Sequence, residues 1–178
     1  MGKPKRDLVR AATPETEDLP AVVILCDISG SMRGQPMTRL REHLSQMWSE
    51  VSDFTKLFAF ADSIREVTSP EKLPEAGGGT FLKEAFEHVV SFWPPRTILI
   101  SDGLPQDMEG SLEAAQKLPG TIDAIFVGPE TDRRGIEFMR RLTTANGGQT
   151  IVRDLHTTKA LLGPALRELL ALPAPISL

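Results

Sequence analysis

The fold can be worked out from residues 21–31, AVVILCDISGS. The first six residues form an unbroken apolar run rich in β-branched side chains, which predicts a strand buried on both faces, as in a parallel sheet. The following residues are small and polar apart from Ile28, and such residues are typical of a turn at the end of a strand. Asp27, Ser29 and Ser31 are therefore expected to lie at the carboxyl end of the first strand.

The rest of the chain alternates between segments with helical periodicity and short apolar segments typical of strands. Helices are predicted over residues 36–53, 81–93, 111–118, 132–145 and 157–172, and strands over 56–61, 64–67, 97–100, 122–127 and 150–152. Pro164 is expected to kink or restart the last helix. Strands separated by helices pair in parallel, whereas the 64–67 strand follows a short turn and must pair antiparallel. The sequence therefore predicts an α/β fold with a three-layer, doubly wound, mostly parallel six-stranded sheet, one short antiparallel edge strand and helices on both faces.

The length and charge of the chain indicate one globular domain. The chain has 178 residues, and we expect the domain over residues 20–172, between a flexible N-terminal tail (1–19) and a C-terminal tail (173–178). Its 20 basic and 24 acidic residues give a net charge of -4, which argues against nucleic-acid binding. No apolar run is long enough to span a membrane, and the basic N-terminus lacks the apolar core of a secretory signal. We therefore expect a cytoplasmic protein without a membrane partner.

The cysteine and histidine content limits the chemistry further. The single cysteine excludes an intramolecular disulfide and a multi-cysteine zinc site, and a buried, unreactive thiol is expected for Cys26 within the apolar strand. None of the histidines has a partner at the spacing of a metal ligand, and His43 is expected on the surface of the first helix. The arginine pairs at 133–134 and 140–141 are expected on a solvated helix face.

Three separate segments bring oxygen donors to the carboxyl ends of strands. Asp27, Ser29 and Ser31 follow the first strand, Thr80 follows the glycines at 77–79, and Asp102 follows the strand over 97–100. Ligands bind at this edge of doubly wound sheets, so we expect the three segments to meet there. Two carboxylates and three hydroxyls are hard donors that suit Mg²⁺ or Mn²⁺, with Ca²⁺ as a further option. The set leaves an open coordination position, which an Asp or Glu of a partner protein would fill.

These motifs resemble the metal-ion-dependent adhesion site of von Willebrand factor A domains. The similarity extends to LCDISGSM at 25–32 and to FVG at 126–128, followed by a helix that ends in NGG at 146–148. The resemblance implies metal-dependent protein binding without catalysis. It also implies that Ser29 and Ser31 bind the metal directly and that Asp27 acts through water. Thr80 and Asp102 would exchange direct and water-mediated roles.

The resemblance further implies a biological setting and a rim of residues around the metal. The chain resembles short cytoplasmic bacterial members of the family, some of which accompany stress-response, tellurium-resistance or ATPase systems. The residues that flank the site in sequence are expected to form the rim and to set partner specificity, because a metal contact alone selects only a carboxylate. They are Met32, Arg33, Gly34, Gln35, Gly79, Gly103, Leu104, Pro105 and Gln106.

Other interpretations of the same residues remain open at this stage. The first motif is also compatible with an ordinary turn, Thr80 with a helix N-cap, and Asp102 with the cap of a following turn. Asp62 and Asp107 are expected to be solvated loop acids. The main alternative function is a magnesium-dependent phosphohydrolase of the haloacid-dehalogenase type, but Ser29 stands where that chemistry requires a second acid. A nucleotide-binding loop is disfavoured because the glycines before Thr80 lack the P-loop lysine.

Overall fold

The computed structural model describes residues 19–157 and 161–171. The strands are β1 (Val22–Asp27), β2 (Thr55–Phe60), β3 (Ile64–Val67), β4 (Arg96–Ser101), β5 (Thr121–Phe126) and β6 (Thr150–Val152). The α-helices are α1 (Gln35–Val51), α2 (Leu82–Val89), α3 (Met108–Ala115), α4 (Arg133–Ala145) and α5 (Leu162–Leu170). Short 3₁₀ helices cover Gly30–Met32, Pro70–Lys72 and Val90–Phe92.

The six strands form one sheet in the order β3-β2-β1-β4-β5-β6. Every pairing is parallel except that of β2 with β3, the edge pair joined by a tight turn. The predicted fold class and its single antiparallel edge strand are therefore confirmed. The chain runs from β1 outward to β3 and then returns to place β4 on the other side of β1. This reversal of strand order lies between β1 and β4, where doubly wound sheets bind their ligands.

The sheet is covered on both faces, and β1 shows how the sequence produces this. Val22, Ile24 and Cys26 point into a core shared with α1 and α5, whereas Val23 and Leu25 point into a second core shared with α2, α3 and α4. All six residues of β1 are buried, as the unbroken apolar run predicts. The central strand therefore carries its carboxyl end to a fixed place in the middle of the sheet edge.

The ends of several helices differ from the predictions because local contacts set them. Helix α3 begins at Met108 and not at Ser111, since the Asp107 carboxylate accepts a hydrogen bond of 2.8 Å from Gly110 N and caps the first turn. Helix α2 ends at Val89, and the following 3₁₀ turn leads to Trp93, which has a φ of 48° and stands before two prolines. Because the residue before a proline avoids the right-handed helical conformation, the helix cannot include Trp93 as predicted.

The last helix also differs from its prediction. It begins at Leu162, and residues 158–160 of the predicted helix lie outside the described residues. Pro164 is its third residue, where an amide would have no intrahelical acceptor. Of the two predicted effects of Pro164, the kink is therefore wrong, and the described helix begins two residues before the predicted restart. His43 is half-buried, and its Nδ1 accepts a hydrogen bond of 3.2 Å from Leu162 N, which corrects its predicted surface position.

The predicted tails fall almost entirely outside the described part of the chain. Of residues 1–19 only Leu19 is described, and residues 173–178 are not. Among residues 19–157 and 161–171, no helix has both the length and the apolar character to cross a membrane.

Candidate metal centre

Asp27 is the buried centre of the candidate site. It is the last residue of β1 and is fully buried, and both of its carboxylate oxygens accept hydrogen bonds. Its Oδ1 accepts one of 2.7 Å from Ser29 N, which fixes the turn after the strand. Its Oδ2 accepts one of 2.6 Å from the hydroxyl of Ser101, the last residue of β4. The carboxylate therefore joins the ends of the two strands that flank the reversal of strand order.

A chain of hydrogen bonds links three further predicted ligands beside Asp27. The hydroxyl oxygens of Ser29 and Ser31 lie 3.1 Å apart, and the Ser31 hydroxyl donates to Asp102 Oδ1 over 2.7 Å. Ser29 is buried and Asp102 is 7% exposed, whereas Ser31 between them is exposed, so the chain reaches the surface at Ser31. The structure thus brings together four of the five predicted metal ligands.

Thr80 is the fifth predicted ligand. Its loop is joined by backbone hydrogen bonds to the turn that carries Ser29 and Ser31. Gly30 N donates to Gly78 O over 2.9 Å, and Gly77 N donates to Ile28 O over 2.8 Å. Thr80 is half-buried and precedes Phe81, the N-cap residue of α2, so the alternative interpretation of Thr80 as the N-cap is wrong.

The two carboxylates are desolvated. Burial raises the pKa of Asp27 to about 6, although hydrogen bonds from Ser101 and Ser29 act in the opposite direction. Burial also raises the pKa of Asp102, against the effects of the Ser31 hydrogen bond and the charge of His156. No ion pair found within residues 19–157 and 161–171 includes either acid. The site therefore favours a cation, because a cation would compensate the buried negative charge.

The spacing of the oxygens fits a small divalent cation. Adjacent ligands of an octahedral Mg²⁺ ion, each at 2.0–2.1 Å from the metal, lie about 2.9 Å from each other. The separations of 3.1 Å between the serine hydroxyls and 2.7 Å between Ser31 and Asp102 are close to this value. The described residues contain no group of three or more His, Cys, Asp and Glu side chains that could hold a metal, so the candidate centre depends on its hydroxyls. Such a donor set fits Mg²⁺ or Mn²⁺ better than a soft metal.

Comparison with solved structures identifies the fold. The manganese-loaded TRAP protein of Plasmodium vivax superimposes with a TM-score of 0.59 and 19% sequence identity, over 82% of this chain and 73% of that chain. The fold is von Willebrand factor A-like. The N-terminal domains of Mfa5, a type V pili tip protein of Porphyromonas gingivalis, superimpose with a TM-score of 0.53 and 11% identity, over 74% of this chain and 47% of that chain. Comparison of the sequence with protein-family models and with curated proteins finds no match.

The predicted rim residues of this von Willebrand factor A-like domain differ in exposure. Arg33 and Gln35 are exposed; Arg33 Nε donates to Ala76 O over 3.1 Å, and Gln35 Oε1 accepts from Arg39 over 2.7 Å. Gly79, Gly103 and Leu104 are half-buried, and Leu104 packs against the core that contains α2, α3 and α4. Met32 is fully buried in the opposite core, because the 3₁₀ turn after Ser29 directs its side chain inward. Its predicted place on the rim is therefore wrong.

Sequence reasoning missed the roles of two residues near the centre. Ser101 was not among the predicted site residues, although its hydroxyl holds Asp27. The available signal was a serine directly after the apolar run of Ile98 to Ile100, at the carboxyl end of the strand that pairs with β1. Asp62 was expected to be only a solvated loop acid; it is exposed, but its Oδ1 accepts a hydrogen bond of 2.7 Å from Gly79 N.

The Cys26 prediction is confirmed. The thiol is fully buried next to Asp27, and burial raises its pKa, which favours the protonated form.

Proposed function

We propose that this protein is a metal-ion-dependent protein-interaction module. Five side chains would hold Mg²⁺ or Mn²⁺, and an Asp or Glu of a partner protein would complete the coordination. The five are Asp27, Ser29, Ser31, Thr80 and Asp102. The observation that carries the proposal is the chain of oxygens from Ser29 through Ser31 to Asp102, at ligand spacing and beside a buried, uncompensated Asp27. The manganese in the TRAP structure supports the choice of a divalent cation by analogy.

The contacts of four of these five residues indicate different roles for them. Asp27 has both oxygens engaged by Ser29 N and Ser101, so it holds the loop and contributes negative charge from behind the serines. The Ser29 and Ser31 hydroxyls are neutral donors at the front of the site, and Asp102 adds a charged one. A bound divalent cation supplies a positive centre with a coordination position for the partner's carboxylate. Because most of the donors are neutral, the site keeps its attraction for an additional anion.

The proposal includes binding without catalysis. Attack by Ser29 or Ser31 on a substrate would need a neighbouring general base. The Ser31 hydroxyl donates to Asp102 and the Ser29 hydroxyl contacts that of Ser31, and the Asp102 carboxylate is proposed as a ligand of the cation and not as a base. A phosphohydrolase would need an acid at the position of Ser29, and no observation on the described residues favours that alternative. By the resemblance of its sequence, the proposed setting is a cytoplasmic adaptor of a bacterial stress-response, tellurium-resistance or ATPase-associated system.

A peptide selection tests the proposed function. The protein is immobilised and exposed to a displayed library of random peptides in Mn²⁺, and bound peptides are released with EDTA. We expect each released peptide to contain an Asp or Glu whose amide counterpart no longer binds, and we expect Ser31→Ala protein to select none of them. Peptides that remain bound in EDTA, or that bind equally well after the acid is replaced by its amide, would contradict the proposal.

A further inference from the structure

Thr80 is the proposed ligand whose position depends most on its loop. Within residues 19–157 and 161–171, its hydroxyl makes no hydrogen bond to the other four proposed ligands. Three hydrogen bonds instead hold the backbone around Thr80: one at the residue before it, one at the residue after it and one at its own carbonyl oxygen. The contacts are Gly79 N to Asp62 Oδ1 (2.7 Å), Phe81 N to Ala61 O (3.2 Å) and Gln106 N to Thr80 O (3.0 Å). The turn between β2 and β3 therefore holds the residues directly before and after Thr80.

Asp62 provides the one contact of these three that is made by a side chain. The other two join backbone atoms and survive most substitutions, whereas the hydrogen bond to Gly79 N depends on the identity of residue 62. It is also the shortest of the three, at 2.7 Å. This hydrogen bond joins two residues 17 positions apart in the sequence: Asp62 in the β2–β3 turn and Gly79 directly before Thr80.

Gly78 shows how closely the loop and the carboxylate fit. This glycine has a φ of +81°, a conformation that other residues rarely adopt. A Cβ added at this position would overlap the carboxylate of Asp62. The loop thus lies directly against Asp62 only because residue 78 has no side chain.

We propose that Asp62 is a positioning residue for the metal centre. By accepting the Gly79 N–H, its carboxylate holds the Thr80 loop so that the hydroxyl stays in place for the cation. The inference rests on the proposed function, since it assigns a task to Asp62 only if the centre binds a metal. Partners that orient the ligands of protein metal sites contribute 10–100-fold to metal affinity.

The test is a titration of the metal-free protein with Mn²⁺, followed through the electron paramagnetic resonance signal of free Mn²⁺, with competition by Mg²⁺. Asp62→Ala removes the acceptor and should weaken Mn²⁺ binding about tenfold. Asp62→Asn keeps an oxygen acceptor for Gly79 N and should restore an affinity close to that of the wild type. Asp53→Ala removes the same charge from an exposed position before β2, at the opposite edge of the sheet, and should leave the affinity unchanged.

The outcomes separate this inference from the proposed function. If the wild type binds Mn²⁺ and Asp62→Ala binds it equally well, the role of Asp62 is overturned and the proposed function stands. If Asp62→Ala and Asp62→Asn lose the same affinity, the charge and not the hydrogen bond is responsible, and the positioning role is overturned. If the wild type itself does not bind Mn²⁺, the proposed function fails first. Should Asp62→Ala fail to fold, Gly78→Ala, which displaces the carboxylate, should show the same loss, and wild-type affinity in that variant would overturn the inference.

Discussion

Replacement of Asp27 by Asn should stabilise the metal-free protein while it abolishes metal binding. Both carboxylate oxygens accept hydrogen bonds, from Ser29 N and from the Ser101 hydroxyl. An asparagine keeps one acceptor for Ser29 N, and its amide group can donate to the Ser101 hydroxyl, which accepts as well as donates. The substitution therefore removes the buried charge and preserves the hydrogen bonds.

The size of the effect follows from the pKa of Asp27. Burial raises this pKa from 3.8 to about 6. Because the folded protein binds the proton more tightly than the unfolded chain, the free energy of unfolding falls as the pH rises from about 4 to about 6. Above pH 6 the full cost of the buried charge is present, about 3 kcal/mol. A domain of this size gains about 2–4 °C in melting temperature per kcal/mol, so Asp27→Asn should melt about 6–12 °C higher at pH 8.

Thermal unfolding followed by circular dichroism in EDTA measures this difference. At pH 5 the wild type already carries the proton on most molecules, and the advantage of the variant should fall to about half. The matched control is Asp53→Asn, which changes an exposed acid and should have the same melting temperature as the wild type at both pH values. A lower melting temperature for Asp27→Asn at pH 8, or an equal gain at pH 5 and pH 8, would refute the reasoning.

Three further substitutions test separate parts of the structure. Ser31→Ala should lower Mn²⁺ affinity in the same titration, and unchanged affinity would exclude it as a ligand; because Asp102 also loses a hydrogen bond of 2.7 Å, the variant should lose about 1 kcal/mol, or about 2–4 °C in melting temperature, in EDTA. Ser101→Ala removes the hydrogen bond of 2.6 Å to Asp27 and should cost about 1.5–3 kcal/mol in urea unfolding at pH 8, and a cost near zero would contradict the role of Ser101. Gly120→Ala places a Cβ on the carbonyl of Pro95, so we expect a loss of about 1–3 kcal/mol in urea unfolding, and wild-type stability would argue against this packing.

The sequence predicts the sheet well because its strands can be recognised from their own residues and from the turns between them. The buried run that begins at Val22 has no polar interruption, and the turn after Phe60 is too short for any but an antiparallel return. The grouping of the candidate ligands was predictable for a related reason. Polar residues that directly follow buried strands must gather at one edge of a parallel sheet, and Asp27, Ser29, Ser31 and Asp102 do so.

The remaining features depend on contacts that no local pattern reveals. Met32 looks like a loop residue in the sequence, yet a single 3₁₀ turn directs it into the core. The acceptor of the Leu162 amide is His43, which lies 119 positions earlier in the chain. Asp62 reads as an ordinary turn acid, and its contact with Gly79 appears only when the two loops are placed side by side. Each of these features depends on the tertiary arrangement, because it involves residues that belong to different elements of the fold.

The central claim is that the oxygens at the ends of β1 and β4 bind one divalent cation. Anomalous diffraction from crystals grown with Mn²⁺ tests it most directly. We expect one strong anomalous peak at coordination distance from the hydroxyls of Ser29 and Ser31, beside Asp102, and its loss in crystals of the Asp27→Asn variant. The absence of a peak there in the wild type, or a peak held by other residues, would contradict it.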